Sequence, residues 1–262
     1  MPDWNPALYL RFADERTRPA AELLARVPLS SARRVVDLGC GPGNSTELLV
    51  QRFPAADVLG LDSSAAMIEQ ARARVPQAGF LQQDMAAWAE GEEGGEADLV
   101  YSNAALHWVG DHARLLPCLM AHLAPGGVLA VQMPDNLQEP SHRLMREVAR
   151  LPRFAPHLAG MAQTRAPLLD AQTYYDVLVR AQAGTVDIWH TVYRHVMASA
   201  GAIVDWLRST GLRPFLEALP AALQADFLAE YGRRIAAGYA ECADGRRLLA
   251  FPRLFIVAQR KP

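Results

Sequence analysis

The order of apolar segments and helices along this 262-residue chain constrains its fold more than any other feature. Short segments rich in Val, Leu and other apolar residues predict five β-strands, at residues 34–38, 57–61, 79–82, 98–102 and 127–132. Apolar residues at helical spacing predict helices between them, at residues 45–53, 63–75 and 115–123. Strands that alternate with helices form βαβ units with a parallel sheet, and ligands of such sheets bind at the carboxyl ends of the strands.

The second half of the chain follows a different pattern. Helical spacing predicts helices at residues 141–149, 171–181, 200–209 and 221–237. Residues 186–196 alternate between apolar and polar side chains, which predicts a strand. Residues 248–258 form an apolar segment interrupted by Pro252, which favours a sheet edge or a bulge because proline lacks an amide hydrogen. We infer an antiparallel addition to the parallel sheet, with the helices inserted between its strands as a candidate cap.

The charge and cysteine content exclude several classes of protein. The chain carries 26 Lys and Arg residues against 28 Asp and Glu, so a general polyanion-binding surface is not indicated and we expect no nucleic acid partner. Three widely spaced cysteines suggest neither a disulfide framework nor a metal cluster, and we expect no bound metal. No segment reaches the roughly 18 apolar residues of a membrane helix, so we expect a soluble, cytoplasmic protein without a membrane partner. The oligomeric state is left open.

A glycine-rich turn follows the first predicted strand. Residues 37–43 read Asp-Leu-Gly-Cys-Gly-Pro-Gly, so Gly39, Gly41 and Gly43 lie between a strand and a helix. Glycine at such a position permits positive φ angles and lets a ligand approach the backbone. The spacing is GxGxG and departs from the dinucleotide pattern GxGxxG at its last position. The turn therefore indicates an adenosine-type ligand without specifying which one.

Charges near this turn discriminate between the candidate ligands. Asp37 precedes the turn, Asp62 ends the second strand at a position suited to ribose hydroxyls, and Asp84 follows the third strand, near a bound adenine. No Lys or Arg occurs between Asp37 and Thr46. A diphosphate would add about two negative charges to this acidic region, whereas S-adenosylmethionine is a net cation. Electrostatics therefore favours S-adenosylmethionine over NAD. Each aspartate by itself is equally typical of a helix N-cap or a turn.

The charge is also unevenly distributed along the chain, since the first 135 residues are acidic and the remainder is basic. This distribution suits a cationic ligand in the first half and an anionic ligand in the second, although chance explains it equally well.

Five motifs in order resemble those of the class I S-adenosylmethionine-dependent methyltransferases. They read VVDLGCGPGNST, GLDSSAAMIEQA, LQQD, YSNAALHWVGD and LAPGGVLAVQMPD, and they span residues 34–135. Within that class, the flanking segments are similar to the family of bacterial trans-aconitate methyltransferases, on the segments DWNPALYLRFADERTRPA, QMPDNLQEPSHRLMREVA, VDIWHTVYRH, TGLRP and LLAFPRLFIVA. Residues 151–169 and 221–243 show little match.

The resemblance implies an α/β fold with a Rossmann-like, seven-stranded, mostly parallel sheet, an antiparallel last hairpin and a helical cap inserted in the C-terminal half. It also implies three parts along the chain. Residues 1–30 would be an N-terminal helical segment that closes the site, and residues 31–135 the cofactor-binding core. Residues 136–262 would carry the cap helices and the last two strands.

The resemblance further implies S-adenosylmethionine as the cofactor and a set of residues that bind it. The glycine turn would approach the methionine part, whose amino group Asp37 would help hold, while Asp62 would bind the ribose and Asp84 would meet the adenine. The expected cofactor residues are Tyr9, Phe12, Asp37, Gly39, Cys40, Gly41, Gly43, Asn44, Asp62, Ser63, Met67, Asp84, Met85, Asn103 and Ala104. For Tyr9 and Phe12, which would close the cofactor in, a helix packed on the core is the alternative.

For the acceptor, the resemblance implies trans-aconitate, a small anionic tricarboxylate. A carboxylate has a pKa near 4 and is already a nucleophile at pH 7, so we expect no general base and no catalytic residue, with His107 as the one candidate. Bidentate guanidinium groups are the preferred partners of the other carboxylates. The expected substrate residues are His107, Trp108, Arg146, Tyr174, Trp189 and Arg213. For each of them an ordinary structural role, in the core or at the surface, is the alternative.

Three other functions stay open at this point. The first is a methyltransferase of the same class that acts on another carboxylate or on a natural-product hydroxyl. The second is an NAD-dependent oxidoreductase, and the third is a module that senses the cofactor without catalysis. The oxidoreductase predicts a neutral or basic glycine loop and a hydride-site His or Lys, and the sequence shows neither. The sensor predicts the lack of a closed anionic acceptor pocket.

Overall fold

A computed structural model of the chain describes residues 13–91, 96–159, 165–208 and 210–262. Seven strands form one sheet: β1 (Arg34–Leu38), β2 (Asp57–Asp62), β3 (Gly79–Gln82), β4 (Ala97–Asn103), β5 (Leu123–Pro134), β6 (Ala183–Met197) and β7 (Arg247–Arg260). The helices are α1 (Ala13–Ala25), α2 (Asn44–Arg52), α3 (Ala65–Arg74), α4 (Met85–Glu90), α5 (His112–Ala121), α6 (Pro140–Ala149), α7 (Ala171–Arg180), α8 (Ala200–Arg208), α9 (Arg213–Ala218) and α10 (Ala221–Gly238). A short 3₁₀ turn covers Leu106–Trp108.

The strand order places the glycine turn at the centre of the sheet. The order is β3-β2-β1-β4-β5-β7-β6, and the first five strands in this order pair in parallel. Val35 on β1 lies opposite Val58 on β2 and Leu99 on β4. The chain therefore builds outward from β1 in one direction and then, from β4 onward, in the other. The carboxyl end of β1 is the switch point at which open α/β sheets bind ligands.

The last two strands pair with each other in antiparallel fashion, and β7 also runs antiparallel to β5, which confirms the predicted hairpin. The amide of Gly126 donates to Lys261 O at 3.4 Å, and the amide of Asp135 donates to Pro252 O at 2.9 Å, so β5 and β7 run in opposite directions. At the start of β6, the amide of Lys261 donates to Gln182 O at 3.0 Å. The expectation that Pro252 marks a sheet edge is wrong, because β7 lies between β5 and β6 and β6 forms the edge.

The chain divides into two compact units. Unit 1 comprises the chain up to Pro134, Leu168–Thr191 and Leu254–Pro262, and unit 2 comprises Asp135–Pro167 and Val192–Arg253. Both units are discontinuous in sequence, and the three-part division predicted above stays a prediction. Within the described ranges, the helices lack the combined length and apolar character needed to span a bilayer.

Each unit has its own core. In unit 1, Val36, Leu38 and Val100 of the central strands are completely buried, as continuous apolar strands covered on both faces should be. In unit 2, α10 packs against α6 and α8. There the ring of Phe227 lies 5.1 Å from that of Phe154 and 6.0 Å from that of Phe215.

Candidate active site

The glycine turn follows β1 and has the backbone conformation for which only glycine is well suited. Gly39, Gly41 and Gly43 have φ angles of 69°, 53° and 90°. A Cβ on Gly39 would lie 2.2 Å from the Cβ of Ala105 and 3.1 Å from the sulfur of Met85, so this glycine permits close packing. A Cβ on Gly41 would meet nothing within 4 Å among the residues that the structure describes. The backbone at Gly41 is therefore uncovered by this part of the chain, and a ligand can approach it.

Asp62, at the end of β2, fixes the turn in place. Its Oδ2 accepts a hydrogen bond from the amide of Gly41 at 3.0 Å, and its Oδ1 accepts one from the amide of Ser64 at 2.9 Å. The amides of Gly39 and Cys40 both donate to Leu61 O, at 2.8 and 2.9 Å. The half-buried carboxylate thus lies beside the open side of the glycine turn, where the sequence predicts the ribose site.

Asp37 is the most strongly perturbed acid at this edge of the sheet. It is completely buried, and its Oδ2 accepts hydrogen bonds from the hydroxyls of Ser45 and Thr46, both at 2.7 Å. Its Oδ1 is buried and has no hydrogen-bond partner among the described residues. Burial raises the pKa of Asp37 to about 6, with a smaller contribution from the charge of Asp62, although the two hydroxyls act in the opposite direction. A cation beside Oδ1 would satisfy this carboxylate.

Asp84, after β3, is the N-cap of α4, a helix that the sequence analysis missed. Its Oδ1 accepts from the amides of Ala86 and Ala87 at 2.9 and 3.0 Å, so the N-cap role considered for each aspartate is observed here. The side chain is exposed, and Met85 beside it is half-buried.

Two further predicted cofactor residues lie near the start of α3. Met67 is buried and donates from its amide to the hydroxyl of the N-cap Ser64, while Ser63 is exposed.

The end of β4 supplies the next predicted residues. Asn103 has a buried Oδ1 without a hydrogen-bond partner in the described part of the chain. Ala104 has a φ of 54°, which is unusual for a residue other than glycine, and its amide donates to Gln132 O at 2.9 Å. This turn lies beside Gly39, because the next residue is Ala105, against which Gly39 packs. Strain of this kind is common at functional sites.

His107 and Trp108 lie in the 3₁₀ turn after β4. Their rings are 4.8 Å apart, His107 is buried, and Trp108 exposes 43% of its surface.

Two other predicted cofactor residues, Cys40 and Asn44, lie at the two ends of the glycine turn. Burial, followed by the charges of Asp37 and Asp62, raises the pKa of the Cys40 thiol, so it is not a nucleophile at neutral pH. The Oδ1 of Asn44 is buried, and its Nδ2 donates to Thr17 at 3.5 Å.

Two predicted substrate residues of unit 1 contact other side chains of that unit. Tyr174 on α7 is completely buried, and its hydroxyl lies 2.6 Å from Nδ1 of His112, so it offers no surface to a substrate. Trp189 on β6 stacks on Phe255 at 4.8 Å, and the guanidinium of Arg26 covers the ring at 5.3 Å. Tyr174 is therefore assigned to the core, whereas Trp189 is half-buried on the edge strand and its substrate role stays a prediction.

The two predicted arginines lie in unit 2. Arg146 on α6 is half-buried and donates from Nη2 to Leu137 O at 2.7 Å. Arg213 begins α9 and donates from Nε to Glu217 at 2.5 Å. The sequence analysis missed two residues of the same unit, Asn136 and Arg165, because no motif joins them to Arg146. Tyr9 and Phe12 lie outside the described residues, and their role stays a prediction.

The residues at the carboxyl ends of β1, β2 and β4 fit an adenosine sulfonium cofactor. Its cationic part matches the buried carboxylate of Asp37, whose Oδ1 has no hydrogen-bond partner among the described residues, and the backbone at Gly41 leaves room for a ligand to approach. A diphosphate does not fit this donor set, because the turn between Asp37 and Thr46 carries no basic side chain and adjoins two aspartates.

Comparison with known proteins agrees with this geometry. Residues 35–127 match a family model described as a methyltransferase domain. A solved structure of phosphoethanolamine N-methyltransferase 2 from Haemonchus contortus, in complex with S-adenosyl-L-methionine, is similar over 94% of this chain and 53% of that chain, with a TM-score of 0.55 and 16% identity. The strand order, the glycine turn and the match to the methyltransferase domain define a class I methyltransferase, and the solved structure agrees with that fold.

Longer matches define the family within that class. A trans-aconitate 2-methyltransferase of Delftia acidovorans is 63% identical over 268 residues, and one of Variovorax paradoxus is 60% identical over 261 residues. Each match covers 100% of this chain and 100% of the relative. The chain belongs to the trans-aconitate 2-methyltransferase family.

Proposed function

We propose that this protein transfers the methyl group of S-adenosylmethionine to a carboxylate oxygen of trans-aconitate, which gives a monomethyl ester and S-adenosylhomocysteine. The observation that carries the proposal is the acidic crevice at the glycine turn, in a chain that is 63% identical to a trans-aconitate 2-methyltransferase over its full length. The crevice selects a cationic methyl donor, and the family supports the acceptor.

The cofactor would be held by residues at the ends of three strands. Asp37 and the glycine turn would bind the methionine part, Asp62 would bind the ribose, and Asp84 with Met85 would meet the adenine. Asn103 would line the methionyl side through its buried amide oxygen. Because the amides of Gly41 and Ser64 already orient the Asp62 carboxylate, its geometry is set before any ligand binds.

The reaction needs orientation more than proton transfer. When bound, S-adenosylmethionine supplies an electrophilic methyl group on a sulfonium. The acceptor carboxylate is ionised at pH 7, so no side chain has to remove a proton, and His107 is not required as a base. The protein's contribution is to align the carboxylate oxygen with the methyl group and to exclude water, which stabilises the separated charges more than the transition state. Trp108 is suited to shielding the reacting groups.

The acceptor's other carboxylates need cationic partners. Arg146 and Arg213 remain the proposed ligands, and they lie in a unit that carries thirteen arginines against nine aspartates and glutamates. A guanidinium group matches a carboxylate with two parallel hydrogen bonds, which favours arginine over a single polar donor. The cytoplasmic location stays a prediction.

Two measurements test the proposed function. Calorimetric titration with S-adenosylhomocysteine and with NADH identifies the nucleotide, and binding of NADH alone would refute the methyltransferase. Release of S-adenosylhomocysteine is then followed with trans-aconitate, cis-aconitate, isocitrate and citrate. We expect the highest kcat/KM with trans-aconitate. A higher value with any of the other three acids would reassign the acceptor.

A further inference from the structure

Two hydroxyl side chains bind the same oxygen of Asp37. The hydroxyls of Ser45 and Thr46 both donate to Oδ2 at 2.7 Å, a distance typical of a hydroxyl that is bonded to an ionised carboxylate. Both side chains are buried, and they follow Asp37 by eight and nine positions, across the glycine turn. Strand β1 and helix α2 are therefore joined at the carboxylate itself.

Helix formation does not account for these two hydroxyls. Ser45 and Thr46 are the second and third residues of α2, whose N-cap is Gly43, so neither of them caps the helix. Ser and Thr inside a helix are neutral or unfavourable, because their hydroxyls compete for the backbone. The partial positive charge of the first helical turn acts in the same direction as the hydroxyls, since it favours an ionised acid nearby. The start of α2 is therefore suited to stabilising the charge of Asp37.

The hydrogen bonds determine which oxygen of Asp37 stays available to a ligand. A carboxylate oxygen has two lone pairs, and on Oδ2 the two hydroxyls use both. Oδ1 is buried and has no hydrogen-bond partner among the described residues, so it can accept from the ammonium group of a bound ligand. When the carboxyl group is protonated, the proton must lie on Oδ1. That atom then presents a hydroxyl to the ammonium group, which disfavours binding.

The charged and titratable groups around Asp37 leave its ionisation dependent on the two hydroxyls. Burial raises the pKa of Asp37 to about 6, the hydroxyls lower it, and the charge of Asp62 adds a smaller increase. Cys40 in the glycine turn and Tyr101 on β4 also interact with this carboxylate, and both stay neutral at pH 7 because burial raises the pKa of each. Without the hydroxyls, the pKa of Asp37 would move toward neutral pH.

We propose that Ser45 and Thr46 are positioning residues of the cofactor site, which hold Asp37 as an ionised carboxylate and leave its Oδ1 for the ammonium group of the cofactor. This inference rests on the proposed function, in which Asp37 binds the methionine part. The two hydroxyls act through Asp37 and do not contact the cofactor. Their removal should therefore weaken cofactor binding by a factor that depends on pH.

The first test measures the Kd for S-adenosylhomocysteine by calorimetry between pH 5 and 8.5 in Thr46→Val and in Ser45→Ala. This ligand has the amino group of the cofactor and is not consumed. Loss of one hydrogen bond to a charged group raises a pKa by about one unit. The ratio of variant to wild-type Kd should then be about tenfold at pH 5, about twofold at pH 7 and about one at pH 8.5. The ratio cancels titration of the ligand, because both proteins bind the same form.

Two further variants serve as controls. Thr46→Ser keeps the hydroxyl and should restore the wild-type Kd at every pH. Ser102→Ala is the matched control, because Ser102 is completely buried and its hydroxyl donates to Leu38 O at 3.0 Å, one residue after Asp37 on β1. It removes a buried hydrogen bond to the same strand but no donor to the carboxylate, so its Kd ratio should not vary with pH. A ratio in both Thr46→Val and Ser45→Ala that is constant from pH 5 to 8.5 would overturn the inference.

A second measurement, without ligand, keeps the inference distinct from the proposed function. In protein labelled with ¹³C-carboxyl aspartate, the NMR signal of Asp37 is identified by its loss in Asp37→Asn, and its titration gives the pKa directly. We expect a midpoint about one pH unit higher in Thr46→Val than in the wild type. A shifted midpoint with a constant Kd ratio would show that Asp37 does not bind the cofactor, which overturns the inference and leaves the methyltransferase standing. A wild type that does not bind S-adenosylhomocysteine would refute the proposed function and the inference with it.

Discussion

At the scale of single residues, Asp37 makes cofactor binding depend on pH. Its carboxyl ionises near pH 6 in the free protein, because burial disfavours the charged form. A bound ammonium or sulfonium favours the ionised form, so binding releases a proton below pH 6. We expect the Kd for S-adenosylmethionine to rise as pH falls below 6, by up to about tenfold per pH unit. Calorimetry between pH 5 and 8 measures this dependence.

The matched variants for this prediction are Asp37→Asn and Asp57→Asn. Asp37→Asn should bind more weakly at pH 8 and lose the dependence between pH 5 and 7, whereas the exposed Asp57 should be replaceable without effect. A wild-type Kd that is constant from pH 5 to 8 would contradict the assigned role. For the free protein the sign is opposite: the unfolded carboxyl ionises at lower pH, so the stability contributed by Asp37 is lost as pH rises toward 6.

Gly39 and Gly41 have different roles in the glycine turn: Gly39 is needed for packing, and Gly41 for access of the ligand to the backbone. Gly39→Ala should lower Tm by several degrees, because the new Cβ would overlap Ala105 in addition to the strain of a positive φ. Gly41→Ala adds its Cβ to open space and should cost less stability, yet weaken S-adenosylhomocysteine binding at least about tenfold. Thermal unfolding and calorimetry measure the two effects. A Gly41→Ala protein with wild-type affinity would place the ligand elsewhere.

At the scale of elements, Tyr174 joins α7 to α5 rather than binding the acceptor. The Nε2 of His112 donates to Leu106 O at 2.9 Å, so in the neutral ring Nδ1 accepts from the Tyr174 hydroxyl. Tyr174→Phe removes one buried hydrogen bond and should lower the free energy of unfolding by about 1–2 kcal/mol. Chemical denaturation measures this loss. The KM for trans-aconitate should not change, and an increase would restore the predicted substrate role.

The sequence predicted the elements whose patterns are local and missed those that depend on contacts. β1 and β3 begin and end where the apolar pattern predicts. β1 is a buried, continuous apolar run, whereas β3 buries only Phe80 of its four residues. The six-residue helix α4 has no full period of apolar residues, and only the cap at Asp84 marks its start. Pro252 was misread as an edge signal because its carbonyl still pairs with Asp135, which no local pattern shows.

The distinction between local patterns and tertiary contacts also explains which residues of the candidate site the sequence predicts. Residues of the glycine turn are adjacent in sequence, and their spacing predicts their positive φ angles. The hydrogen bond from Arg165 to Asn136 joins residues 29 positions apart, so tertiary structure is needed to find it. Trp189 shows the converse, because an aromatic residue at strand spacing carries no sign of which ring it stacks on, here that of Phe255.

At the scale of the whole molecule, the two units carry opposite charge. Unit 1 has 13 Lys and Arg residues against 19 Asp and Glu, whereas unit 2 has 13 against nine. A triply charged acceptor is therefore attracted to unit 2 by charges beyond those it contacts, and salt screens this attraction over about 10 Å at 0.1 M. We expect the KM for trans-aconitate to rise several-fold between 20 mM and 500 mM KCl, a range chosen to span roughly 20 to 4 Å of screening. Initial rates at saturating S-adenosylmethionine measure it. S-adenosylhomocysteine carries no net charge, so its Kd should stay constant over the same range, and a parallel rise in both constants would show that salt disturbs the fold rather than acceptor attraction.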